Sequence, residues 1–398
     1  MFASSSSWPR VALILLLAVC VTACGGGGAA DVSKPPVAQP AGPTGHGELK
    51  AATLLNTISV SDMVQALNSA NTRIQGLNPA YSVTSYRLEY LTSDSQGQIV
   101  RASGLVSVPV KPVGAKSPVL SYQHATTFHD ADAPSNHAVA AELAVELASL
   151  GYIVLAPDYV GFGASKGTPH PYLLAAPSAA ATIDFLTAAK TWRRQNNVND
   201  NGQLFLAGYS EGAYVTMAAH RALQANNAAE LQPLRLEVAG AGPYNVQVTL
   251  DALLSLVRSE QPVLGALLNP GLLRFLSASV RSDLRRELLK HLLPQDADVV
   301  INTQFIDNYL ADDVQATAQL SNVHDWKPNL PVRLFHGRDD RTVPYASSLN
   351  TLQTMQLRGA GNLVSLTDCP AVPSDHIPCV PSFLAFMLAQ LASQALDL

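Results

Sequence analysis

The run Gln203 to Val215 constrains this chain more than any other part of it. Leu204 to Ala207 is a short apolar segment of the kind that forms a buried strand, and Ala213 to Gln224 holds no Gly or Pro and predicts a helix. Between them lies Gly208-Tyr209-Ser210-Glu211-Gly212. A serine on a tight turn from strand to helix is held in a strained backbone geometry that exposes its hydroxyl. A Cβ at Gly208 or Gly212 would crowd that turn. The same Gly-x-Ser-x-Gly pattern recurs at Gly163-Ala164-Ser165-Lys166-Gly167, but several residues past the nearest apolar run. Pro169 and Pro171 follow it and keep a helix from starting there. Ser165 therefore reads as a loop serine, and Ser210 as the candidate nucleophile.

The chain has 398 residues, of which 47% are hydrophobic and only 14% charged. That suits one large α/β domain with an insertion, or two small domains. The net charge is -5 and no Lys/Arg cluster appears, so nucleic-acid binding is not expected. Cys20, Cys24, Cys369 and Cys379 form no Cys-x-x-Cys, which argues against a zinc ribbon or a thioredoxin-like site. Arg10 precedes Val11 to Ala23, an apolar stretch too short to span a bilayer, so residues 1–23 read as an export signal. Val21-Thr22-Ala23-Cys24 resembles the bacterial lipobox. That resemblance implies lipidation of Cys24 and a membrane anchor, with Gly25 pointing to outer-membrane sorting. The alternative is ordinary cleavage after Ala23, leaving Cys24 a free thiol.

Residues 24–50 are rich in Gly, Pro and Ala and read as a flexible tether. Ser61-Asp62-Met63-Val64 predicts a capped helix running to about Ala70. Tyr81 to Leu91 and Gln98 to Val108 alternate apolar and polar residues across Ser93 to Gly97, a hairpin pattern. From Ser117 the rhythm becomes strand and helix in turn: strands at Val119–Tyr122, Tyr152–Ala156, Leu204–Ala207, Leu234–Ala239, Leu330–Phe335 and Leu363–Leu366, and helices at Asn136–Leu150, Ala179–Trp192 and Pro381–Leu396. This predicts an α/β fold with a mostly parallel sheet covered on both faces. The rhythm stops over 245–325, a Leu-rich helical segment that divides the core into 51–244 and 326–398. Its apolar content exceeds what a solvated decoration needs, so a substrate-facing cap is expected.

A serine hydroxyl needs a base to take its proton, and a carboxylate to orient that base. His376 is the one histidine after Asp340. The strand–Gly-x-Ser-x-Gly–helix unit resembles the nucleophile elbow of the α/β-hydrolase superfamily, whose triad runs Ser, acid, His along the chain. His336-Gly337-Arg338-Asp339-Asp340-Arg341-Thr342-Val343-Pro344 resembles the family's His-Gly-x-x-Asp-x-x-Val-Pro turn, which puts the acid at Asp340, with Asp339 as the near rival. His324 and His336 precede the acid and read as loop or turn residues. Two donors are needed for the oxyanion. One is the N–H of Glu211, whose side chain is expected to point elsewhere. Gln123-His124-Ala125-Thr126-Thr127 resembles the family's His-Gly-x oxyanion loop, which makes the second the N–H of Thr126, with Ala125 also possible.

Asp158 to Ser165, His170-Pro171-Tyr172-Leu173, Ser121-Tyr122-Gln123 and the elbow together resemble the secretory-lipase branch, the Candida lipase A-like enzymes and their bacterial relatives, from about Tyr81 to the C-terminus. The resemblance implies hydrolysis of small-molecule or lipid carboxylic esters through an acyl-Ser210 intermediate, without metal or organic cofactor. It leaves open a peptidase or amidase on the same triad, or a non-catalytic binding protein with this fold. Asp158 reads as structural, holding its loop. Cys369 and Cys379 are the two thiols left if Cys24 carries lipid, and export favours a disulfide between them, flanking His376. The alternative is two buried free thiols.

Overall fold

The computed structural model describes residues 44–69, 74, 76–260 and 268–398. The expected export signal, Cys24 and most of the expected tether lie outside the described residues.

The chain opens with β1 (Leu49–Ile58), α1 (Val60–Ser69), and the hairpin β2 (Val83–Ser93) and β3 (Ile99–Pro109). Next come β4 (Ser117–Gln123), α2 (Leu143–Ala148), β5 (Ile153–Pro157) and α3 (Ala175–Gln195). Then follow β6 (Asp200–Tyr209), α4 (Glu211–Ala225) and β7 (Leu234–Gly240). The insertion supplies α5 (Val246–Glu260), α6 (Ala278–Leu292), α7 (Gln304–Leu310) and α8 (Val314–Leu320). The chain closes with β8 (Val332–His336), α9 (Ala346–Leu357), β9 (Val364–Asp368) and α10 (Val380–Ala392).

All these strands form one nine-stranded sheet in the order β1-β2-β3-β5-β4-β6-β7-β8-β9. The pairings β1–β2, β2–β3 and β3–β5 are antiparallel, and those from β5 to β9 are parallel. Parallel strands buried on both faces read as apolar runs, which is why β4 to β7 were the most legible in the sequence. Alternate residues serve opposite layers. Leu120, Val154 and Phe205 pack with Phe383, Met387 and Leu391 of α10, while Val119, Leu155 and Leu206 pack with Phe185 and Trp192 of α3.

Two expectations change. β1 begins at Leu49, inside the stretch read as tether, and Gly47 N–H already bonds Leu91 O at 2.8 Å. It carries no clean alternation because this edge strand is mostly exposed and its pairing with β2 shifts register twice. The helix expected over Asn136–Leu150 is confined to Leu143–Ala148. Its would-be first turns are held as loop by tertiary bonds: Ser135 N–H donates to Asp158 at 2.8 Å, and Asn136 bonds Asp130 O and Arg87. Val139, inside the expected helix, is 42% exposed.

The insertion is helical and joins the main core through Leu254, Leu284, Leu288, Phe305 and Tyr309, which pack with Tyr172, Leu173 and Tyr214. It also bonds the loops that follow β4 and β5. Asp298 N–H donates to Phe128 O at 3.0 Å, Asp130 N–H donates to Asp298 at 2.7 Å, and Ile301 bridges His170. These loops leave the carboxyl ends of the parallel strands, the edge at which open α/β sheets form their crevices.

Candidate active site

Strand β6 ends at Tyr209 and helix α4 begins at Glu211, so the whole reversal falls on Ser210, at φ 58 and ψ -123. This left-handed φ is rare for a residue with a side chain and is held by its surroundings. Ser210 N–H donates to Gly240 O at 2.8 Å, and Ser210 O accepts from Ala213 and Tyr214 of the first helical turn. The flanking glycines are there for space. A Cβ on Gly208 would lie 2.4 Å from the Gly212 backbone, and one on Gly212 would lie 2.0 Å from Gln123 O. The start of α4 is thereby pressed against the end of β4 and the loop that carries Thr126.

Ser210 Oγ lies 2.9 Å from His376 Nε2. On the far side of the ring, Nδ1 lies 2.6 Å from Asp340 Oδ2. An ionised carboxylate can only accept, so Nδ1 carries the proton and Nε2 is left to accept from the serine hydroxyl. Asp340 is ionised for a definite reason. Burial on its own would raise its pKa, but hydrogen bonds and charge from His336 and His376 outweigh that and bring it to about 2. Its Oδ1 also accepts from Thr342 and Val343 N–H at 2.9 and 2.8 Å. The acid at the end of β8 and the base after β9 thus converge on the serine at the end of β6.

Asp339, the rival acid, does not approach His376. Its Oδ2 accepts from Ser374 N–H and Oγ, both at 2.9 Å, and so ties the acid's turn to the base's loop. Arg341 and Asp375 add a second tie, and Cys369–Cys379 form a disulfide that closes the loop around His376 (S–S 2.07 Å, Cα–Cα 5.9 Å). Tyr209, next to the serine, donates its hydroxyl to His376 O at 2.7 Å. The base is therefore fixed from four directions.

The loop after β4, expected to carry the second oxyanion donor, starts against Gly212 at the head of α4. Ala125 does not adopt a left-handed φ, so the family's glycine is not needed there for backbone freedom. Tyr159 OH donates to His124 O at 3.0 Å and stacks on the His124 ring, while Thr126 Oγ1 lies 3.4 Å from Tyr172 OH. Burial lowers the His124 pKa and favours its neutral form. Asp158 is wholly buried and bonded to Ser103 and Ser135, a loop anchor as expected.

Two placements go beyond the sequence reading. His336, read as a turn residue, is the last residue of β8 and fully buried; its Nε2 lies 3.2 Å from Asp340 Oδ2 and 2.9 Å from Val343 O. With Ser348 Oγ 2.7 Å from Nδ1, the ring donates from Nε2 and braces the acid. The Glu211 side chain, expected only to point elsewhere, has a specific buried partner: it lies 2.7 Å from His170 Nε2 with both side chains buried. The sequence holds a Glu in the elbow and a His in His170-Pro171-Tyr172-Leu173, but nothing in it pairs two residues so far apart. Among the described residues, no group of three or more His, Cys, Asp or Glu side chains is placed to hold a metal ion.

Comparison with known proteins bears on the fold. The rice cell wall degrading esterase LipA of Xanthomonas oryzae superposes with a TM-score of 0.66 at 22% identity, over 88% of this chain and 99% of that one. A Legionella pneumophila protein gives 0.65 at 24% identity, over 87% and 98%. Candida antarctica lipase A is more distant, at 0.51 and 19%, over 84% and 80%. No curated protein matches the sequence. Residues 124–374, which run from the loop after β4 through Ser210 and the insertion to Asp340 and beyond, match the model of the alpha/beta hydrolase family, and the chain belongs to that family.

Proposed function

We infer that the protein is an exported serine esterase or lipase that cleaves carboxylic esters through an acyl-Ser210 intermediate. The observation that carries this reading is the continuous hydrogen-bonded line Ser210–His376–Asp340 on a serine at positive φ. His376 takes the hydroxyl proton as Ser210 Oγ attacks the ester carbonyl. The negative charge that develops on the carbonyl oxygen is met by the N–H groups of Glu211 and Thr126. The intermediate collapses as His376 gives its proton to the departing alcohol. Water, deprotonated by the same ring, then releases the acid and restores the serine. Asp340 stays ionised throughout and stabilises the imidazolium.

The helical insertion serves as a cap over the acyl or alcohol side of the substrate, a role supported by its bonds to the loops after β4 and β5. Small-molecule or lipid esters are the substrate class. Cys24 carries lipid and anchors the protein to the outer membrane. The lipobox-like boundary supports this, as does a disulfide suited to an oxidising compartment.

The test is a panel of p-nitrophenyl esters from acetate to palmitate beside aminoacyl anilides. Turnover of esters alone bears the reading out. Turnover of anilides alone makes the protein an amidase or peptidase, and turnover of neither makes it a binding protein. Anchoring is read by fractionation in a Gram-negative host, where Cys24→Ser releases the protein from membranes or stops its processing; soluble wild type with an unmodified Cys24 thiol sinks the anchor.

A further inference from the structure

His170 is joined to three parts of the molecule. Its backbone N–H donates to Val300 O at 2.7 Å and its carbonyl accepts from Asn302 N–H at 2.9 Å, a parallel bridge to the insertion centred on Ile301. Its ring Nδ1 lies 2.7 Å from Val160 O, in the loop after β5. Its Nε2 lies 2.7 Å from Glu211 Oε1, at the first residue of α4. The two side chains are 4% and 3% exposed. Gly161 leaves room for this placement, since a Cβ there would stand 2.8 Å from that of His170. Tyr159 lies parallel to the ring at 6.0 Å, and Phe162 meets it edge-on at 5.2 Å.

The chemistry of the contact is narrow. A carbonyl only accepts, so Nδ1 holds a proton, and the approach of Nε2 to a carboxyl oxygen needs a further proton between them. Removing either partner leaves the other buried with an unmade hydrogen bond. No step of the ester mechanism uses either side chain. Yet Glu211 is the residue whose backbone N–H faces the developing oxyanion. The first N–H groups of a helix have no intrahelical partner, so the helix's own hydrogen bonds do not fix where that donor points.

We propose that the His170–Glu211 pair is a positioning latch through which the seating of residues 300–302 of the insertion sets the Glu211 amide of the oxyanion site. The proposal rests on the esterase reading and deepens it: cap and oxyanion donor are coupled through one buried contact. Coupling of this kind is reciprocal, so a change at Glu211 is felt in the insertion.

The experiment compares Glu211→Ala and Glu211→Gln in the full chain, with p-nitrophenyl butyrate as substrate and hydrogen–deuterium exchange as the second readout. Alanine breaks the latch. Glutamine can donate to Nε2 of a neutral ring and keeps it. For Glu211→Ala, kcat falls about 10- to 100-fold, as for a misplaced oxyanion donor, with KM little changed. Peptides covering 298–303 exchange faster in Glu211→Ala than in wild type. Glu211→Gln recovers most of both losses. His170→Asn, too short to reach Glu211, matches Glu211→Ala, and the double variant is no worse than either single. If Glu211→Ala does not fold, His170→Asn carries the same expectations. Wild-type kcat in the alanine variant, a kcat loss that glutamine does not repair, or unchanged exchange at 298–303 overturns the latch. A wild type that turns over no ester sinks the functional reading alone; exchange at 298–303 then decides the latch by itself.

Discussion

The chain contains the pattern Gly-x-Ser-x-Gly twice, and the two copies fold into opposite things. At Gly163 to Gly167 the serine sits at the end of a single 3-10 turn (Gly163–Ser165). Ser165 Oγ donates to Phe162 O at 2.9 Å and accepts from Gly161 N–H at 3.0 Å, so its hydroxyl is used up within its own loop. At Gly208 to Gly212 the serine stands alone between strand and helix, and its Oγ meets the His376 ring at 2.9 Å. Ser165 lies in the loop that carries His170 to Glu211; Ser210 lies where three strand ends converge. A hydroxyl becomes a nucleophile through what the sheet edge brings to it, and the five-residue pattern supplies only the turn.

The largest separation between the two turns is catalytic. Ser210→Ala and His376→Ala should each lower kcat roughly 10⁴- to 10⁶-fold, and the double variant should be hardly worse than either single. Retained turnover in Ser210→Ala would reverse the assignment of the two serines.

Next in size is the acid. Asp340→Asn should lower kcat about 10³- to 10⁴-fold, because the ring can then settle in the wrong tautomer, while Asp339→Asn costs less than about tenfold. A damaging Asp339→Asn with a mild Asp340→Asn would move the acid. The same carboxylate has a pH signature. Its folded pKa of about 2 lies below the ordinary value near 3.8, so it stabilises the fold at pH values above the unfolded pKa. That contribution disappears as pH falls from about 4 towards about 2. Urea unfolding of wild type and Asp340→Asn at several pH values should show the gap between them closing over that window.

The glycines separate the turns by packing. Gly212→Ala drives a methyl to 2.0 Å from Gln123 O and should destabilise the protein by about 3 kcal/mol, with loss of activity in what folds. At Gly167, a Cβ meets nothing within 4 Å, so alanine there costs only the strain of φ +89, about 1 kcal/mol. Thermal unfolding of the two variants compares them directly. Equal melting temperatures would mean that the elbow can relax.

The smallest effect on catalysis belongs to Ser165→Ala. It should leave kcat within about threefold of wild type while lowering stability by about 1–3 kcal/mol, since a buried N–H loses its acceptor. Loss of ester turnover in folded Ser165→Ala would tie this loop to the chemistry more closely than the His170 contact does.

By itself the sequence determined the elements whose signals are local. Apolar runs in β4 to β7, the alternation of the β2–β3 hairpin, the Leu-rich insertion and the turn chemistry at Ser210 and Asp340 each lie within a few residues of one another. So does the position of His376 between Cys369 and Cys379. Tertiary structure decided what depends on partners far apart in the chain. β1 is a strand because β2 offers it an edge, and residues 136–142 are loop because Asp158 and Asp130 hold 135 and 136. Asp340 rather than Asp339 is the acid partner because the turn after β8 aims one carboxylate at His376 and the other at Ser374. His336 braces that acid, and His170 reaches Glu211 from the loop after β5. Propensity and periodicity act over a turn or two of chain. A buried polar group takes whichever partner the folded backbone delivers, and that choice is settled only once the sheet has brought its strand ends together.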